Sequence, residues 1–190
     1  MTEVTLVGAG VNPHKQRVRV EGQAETFSTT VDEFENVSAR DRNSFSWTIV
    51  PADFGAAETI LLIQNDNALL HLHLTEVDIQ TDNASPVQIH LTDRATLTPA
   101  GGALVVGVCW NQTAPRVAEA IARSNETANA QGNIIFNEPV AANTATHIDL
   151  HGAVVLAKGQ SLGVDLTTAS TSLASCTIRG FFAIPDEARV

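Results

Sequence analysis

Residues Leu150 to Pro185 constrain the fold more than any other stretch of this chain. They read LHGAVVLAKGQSLGVDLTTASTSLASCTIRGFFAIP. Three short apolar runs, Ala153–Leu156, Leu162–Leu166 and Cys176–Ile184, are separated by Lys158-Gly159-Gln160 and by a loop rich in Ser, Thr and Ala. In the second run Leu162, Val164 and Leu166 point one way and Gly163, Asp165 and Thr167 the other. That two-residue period belongs to a half-buried strand. The segment predicts strand, tight turn, strand, loop, strand. Such an ending suits an antiparallel sandwich better than a helical or doubly wound fold.

The same alternation recurs upstream. Gln16–Gly22 (QRVRVEG) sets Val18 and Val20 against Arg17 and Arg19, and Ser44–Val50 (SFSWTIV) turns Phe45, Trp47 and Ile49 inward. Glu58–Gln64 (ETILLIQ) is an apolar run ended by Asn65-Asp66-Asn67, a turn signal because Asn and Asp side chains bond back to nearby backbone. In Ala68–Gln80 (ALLHLHLTEVDIQ) the apolar parity switches near Leu74-Thr75, which predicts a bulge or a passage between sheet environments. Val87–Leu91, Gly132–Phe136 and Thr146–Leu150 read as short strands, and Ala103–Trp110 (ALVVGVCW) as a central one. Pro115–Asn125 fits two patterns. Thr113 as N-cap, Pro115 in the first turn and Val117/Ile121 four apart favour a short helix, yet alternation with alanines also suits a strand. About ten short, turn-punctuated strands predict an all-β, two-sheet antiparallel sandwich. Residues 1–16 read as an N-terminal arm or edge strand and 17–190 as one domain, in which 23–43 is a long acidic connection.

Composition narrows function by exclusion. A formal charge of −10 with no Lys/Arg cluster argues against a direct grip on nucleic-acid phosphate. No apolar run approaches the ~20 residues of a membrane-spanning helix. The N-terminus lacks the basic-then-apolar pattern of a signal peptide. Val7-Gly8-Ala9-Gly10-Val11 has neither the third glycine nor the following helix of a dinucleotide fingerprint, and there is no G-x-S-x-G. The acid pairs Asp32/Glu33 and Asp186/Glu187, with Glu35, stand in polar stretches where nothing would raise a carboxyl pKa. Cys109 and Cys176 read as buried free thiols, with a disulfide between them as the alternative, and Trp47 and Trp110 read as core.

The histidines are the remaining candidates for chemistry. His71 and His73 lie two apart on a strand and so project from one face, as two metal ligands would. Glu76 follows, and His90 falls on a strand that could lie alongside. The set resembles the cupin metal motif, an HxH followed by Glu, but Glu76 comes one residue early. The upstream glycine and the later Gly-Pro-Gly-His segment of that motif have no match here. Neutral histidines at a sheet surface or subunit contact account for the same residues, so no metal or cofactor is expected, with His71, His73 and His90 as the candidate ligands if one binds. His147, Asp149 and His151 would share another strand face, to hold a divalent ion, to answer to pH, or to form a solvated polar face.

Taken together, Lys15–Gln23 (KQRVRVEGQ), Asn43–Trp47 leading to Pro51, Ile60–Ile63, Lys158–Val164 (KGQSLGV) and Ala174–Phe182 (ASCTIRGFF) resemble a class of tailed-phage virion proteins. The resemblance implies a jelly-roll β-sandwich with an extended N-terminal arm, in which 115–125 would be extended. It also implies a non-enzymatic role in the virion. That role is a capsid decoration or cement protein, or a tail-associated component, working as a homo-oligomer. A trimer is favoured, docked on partners such as the major capsid protein. A tail- or fibre-associated receptor- or carbohydrate-binding module and a cupin-like metalloenzyme are the alternatives.

Overall fold

A computed structural model of the chain describes residues 15–18, 24–27, 43–52, 54, 59–92, 102–113, 115–125, 132–167 and 174–185. The expected arm up to residue 14, most of the acidic 23–43 connection and the acid pairs lie outside these residues. Among the described residues there is no helix. The strands are β1 (Lys15–Val18), β2 (Ala24–Phe27), β3 (Ser44–Ala52), β4 (Thr59–Asn65), β5 (His71–Gln80), β6 (Ser85–Thr92) and β7 (Ala103–Leu104). They continue with β8 (Val108–Cys109), β9 (Ala120–Ser124), β10 (Asn133–Val140), β11 (Thr146–Leu156), β12 (Ser161–Leu166) and β13 (Ala174–Ala183).

Two antiparallel sheets pack as a sandwich. One runs β11-β5-β13-β3-β8 and the other β10-β6-β12-β4-β9-β7, while β1 and β2 pair in a ladder of their own. The pairing is nested: β3 with β13, β4 with β12, β5 with β11 and β6 with β10. Short connections carry the chain from sheet to sheet, so β10 lies over β11 at one side of the sandwich and β7 over β8 at the other. Phe45, Trp47 and Ile49 of β3, Leu61 and Ile63 of β4, Val87 and Ile89 of β6, and Leu162, Val164 and Leu166 of β12 meet in one core. Each such side chain contributes about 1.5–3 kcal/mol by leaving water.

The parity switch in β5 is a bulge. Leu74 pairs with Gly180 and Val154, Glu76 pairs with Arg179 and Asp149, and Thr75 has no place in either ladder. Leu72, Leu74, Val77 and Ile79 therefore all reach the core. The Asn65–Asn67 turn is built as its composition predicts. Asn65 Nδ2 donates to Leu70 O at 2.9 Å and Leu156 O at 2.8 Å, and Asn67 Oδ1 accepts from the backbone N–H groups of Leu69 and Leu70.

Four expectations are corrected. Ala103–Trp110 is not a central strand. It forms two two-residue pieces, β7 at the edge of one sheet and β8 at the edge of the other, and the chain between them crosses the open side of the sandwich. Gly107 permits that crossing, since a Cβ there would lie 2.5 Å from Trp47 Nε1 and 2.8 Å from Ala118 Cβ. Trp110 consequently stands half-exposed at the edge, and only Trp47 is core. The helix favoured for 115–125 is absent; residues 115–119 are irregular and β9 pairs with β4. The free edge of a fully buried strand demands a partner, and that ladder overrides local helix propensity. Finally, β12 is buried on both faces rather than one: its apolar row meets the core, and on the other face the His90 ring lies over Gly163 and against Asp165.

Candidate functional site

The three candidate metal ligands do not come together. β5 and β6 belong to different sheets, so His71 and His73 face out from the five-stranded sheet while His90 faces away from the core on the other. The two sheets and the core lie between them. Consecutive strands that change sheets cannot supply one ligand set, and a single sequence gives no sign of that change. His73 instead stacks on Phe181, ring centroids 5.0 Å apart and planes 5° from parallel. Among the described residues no three His, Cys, Asp or Glu side chains converge as a metal-binding group.

The outer face of the five-stranded sheet carries an ionic network instead. Arg179 bonds the Glu76 carboxylate and lies 3.6 Å from Asp78 Oδ2, with its guanidinium 5.3 Å from the centre of the Trp110 ring. His147, opposite Asp78 in the ladder, donates from Nδ1 to Asp78 Oδ1 at 2.8 Å, and Glu76 Oε2 lies 3.7 Å from its Nε2. The hydrogen bond to Asp78 raises the His147 pKa above 6.5; desolvation opposes it, and the charges of Asp78, Glu76 and Asp149 add to the rise. Of the expected His147–Asp149–His151 row, the first two share the strand face and the third leaves it. β11 inserts Leu150–Ala153 where β5 has only Thr75, and His151 (φ +51°) and Gly152 (φ +68°) turn the chain outward. From that protrusion His151 Nδ1 still reaches Asp149 Oδ2 at 3.0 Å.

His90 has a buried role that its sequence neighbourhood does not announce. Its Nε2 donates to Asp165 Oδ2 at 2.8 Å, with both side chains almost wholly enclosed. The ring lies over Gly163, where a Cβ would come within 2.9 Å of Nε2. Asp165 was legible as the one charge in an apolar strand, but its partner was not. Ser161, on the same face of β12, completes a Ser/His/Asp set by residue type only. Ser161 Oγ and His90 Nδ1 make no hydrogen bond among the described residues, so the nucleophile–base contact of a hydrolytic triad is not formed. The pair ties β6 to β12.

Among the described residues, five exposed large apolar side chains lie at the side of the sandwich that β7 and β8 occupy. Leu104 (67% exposed), Val106 (69%), Val108 (57%) and Trp110 (49%) alternate with the inward-facing Val105, Gly107 and Cys109, and Val117 (85%) stands beside the crossing. Residues two apart in extended chain share a face, so these form one row. At the opposite side, β10 exposes Ile134 and Ile135. The sequence signal for the first row was its lack of charge from residue 95 to 115, a feature that resembles a buried strand as much as an interface. No family model, curated protein or solved structure matches this chain.

Proposed function

We propose that the protein is a non-enzymatic structural component of a tailed-phage particle. In this reading it is a capsid decoration or cement protein that holds a shell through contacts with its own copies and with other virion proteins. The observation that carries this reading is the uncharged row Leu104, Val106, Val108 and Trp110, held at the side of a rigid sandwich. A chain of net charge −10 that keeps four large apolar side chains in a line on its surface has a use for them between molecules. The nested pairing of β3 with β13, β4 with β12, β5 with β11 and β6 with β10 supports a jelly-roll assignment, in which two four-stranded sheets wrap one core. Immunogold labelling of purified particles tests the role: label on shells is the expected result, and its absence from particles overturns it.

A glycan-binding module is the second reading, favoured by the exposed Trp110 ring beside Arg179, Asn111 and Gln112. Quenching of Trp110 fluorescence by an oligosaccharide, lost in Trp110→Ala, would put that reading first.

A further inference from the structure

Resting on the assembly reading above, the geometry points to the partner of the Leu104–Trp110 row: a second copy of this chain, docked head to tail. In this arrangement the β7/β8 side of one copy receives the β10/β11 side of the next. Three observations lead there. First, the molecule has apolar surface at both sides of the sandwich, not one. Leu104, Val106, Val108, Trp110 and Val117 mark the first side; Ile134 and Ile135 of β10 and the 40%-exposed Val155 of β11 mark the second. The chain turns from β10 into β11 between Val140 and Thr146, so Ile134, Ile135 and Val155 lie towards the end of that side remote from the turn. A two-fold contact pairs a surface with itself and would leave one of these groups in water. A head-to-tail contact buries both, and closes into a ring when the rotation between copies permits.

Second, the extent is right. The exposed parts of the five side chains on the first side come to roughly 500 Å², at the upper end of what a monomer leaves bare and over half of the ~800 Å² that each partner gives to a stable interface. Third, the charges allow it. Two copies of a chain carrying −10 repel each other over most of their surfaces, but residues 95–115 contain no charged side chain. Arg116 and Glu119 both border the first side, Arg116 donating to Asn43 Oδ1 at 2.8 Å and the Glu119 carboxylate accepting from Asn67 Nδ2 at 2.9 Å, so that side carries one charge of each sign. The exposed Glu138 of β10 borders the second side.

Contact at β10 is made by side chains rather than by adding a strand. The ladder to β6 shifts between Ile134 and Phe136, and Pro139 removes a backbone donor, two devices that discourage edge-to-edge pairing.

Complementation between two defective edges tests the arrangement. Val106→Lys disables the first side and Ile134→Lys the second; both positions are exposed, and circular dichroism verifies that each variant folds. By light scattering the wild-type chain should be an oligomer and each variant a monomer of 20.1 kDa. An equimolar mixture of the two should recover a dimer, because one intact interface remains between unlike copies. A mixture that stays monomeric, or an Ile134→Lys variant that keeps the wild-type mass, overturns head-to-tail docking while the assembly reading survives. A wild-type monomer overturns the assembly reading itself. If either lysine variant fails to fold, Val106→Cys mixed with Ile134→Cys gives the same decision. A disulfide-linked dimer of unlike copies supports the contact, and two copies of Val106→Cys linked to each other instead contradict it.

Discussion

At the scale of single residues, the side chains that matter most to the fold are polar ones used as ties. Asn65 is fully buried and bonds two carbonyls from different segments through one amide, while its own backbone joins Gln160 and Gly159. Asn65→Ala would orphan Leu156 O in the interior and should cost about 2–3 kcal/mol, measured by urea unfolding. His147 gives a pH dependence of known sign. Its folded pKa is raised, so its contribution is complete below about pH 6.5 and is lost as pH rises through the folded value. Because the ring is half-exposed, the loss should stay within the ~0.2–1 kcal/mol of a surface pair. Titration by NMR should find the His147 midpoint above 6.5 in the wild type and lower in Asp78→Asn. An unchanged midpoint would remove Asp78 as the cause. Burial pushes the Cys176 thiol far above its ordinary range. Alkylation at pH 8 followed by mass spectrometry should therefore leave Cys176 unmodified until the protein unfolds.

At the scale of elements, legibility followed periodicity. β3, β5 and β13 alternate in sequence and alternate in burial, and even the β5 bulge was visible as a change of parity at Leu74-Thr75. Reading failed where tertiary partners decide. Ala103–Trp110 is apolar at both parities, which is the pattern of a strand covered on two faces and equally of an edge that awaits a partner. Pro115–Asn125 carries helix signals, but β4 needed a neighbour and alanines at 118, 120 and 122 are small enough to pack inward there. The candidate metal cluster failed for a topological reason: His73 and His90 are close in sequence, yet a sheet change separates them. Gly107 is the hinge of the crossing. Gly107→Ala should lower stability by about 1–3 kcal/mol and alter Trp47 fluorescence, since the indole must move to admit a methyl group. A variant with wild-type melting and emission would show that the crossing is looser than the 2.5 Å approach implies.

At the scale of the whole molecule, one sandwich presents two kinds of surface. The outer face of the five-stranded sheet carries a network of ion pairs that joins Arg179, Glu76, Asp78 and His147. The two lateral sides keep large apolar side chains that are 40% to 85% exposed. On the proposed reading the molecule would associate through these sides rather than through its ion-paired face. Copies so associated would present identical faces in a ring, as the proposed cement role requires. The claim on which the account depends is that these sides are buried between copies. The mass of the wild-type chain by light scattering, across a range of concentrations and with metal analysis on the same peak, tests it most directly. The account predicts a metal-free species of discrete mass at an integral multiple of 20.1 kDa, with a trimer favoured. A monomer at every concentration would contradict it, and about one transition-metal ion per chain on that peak would put the histidines first.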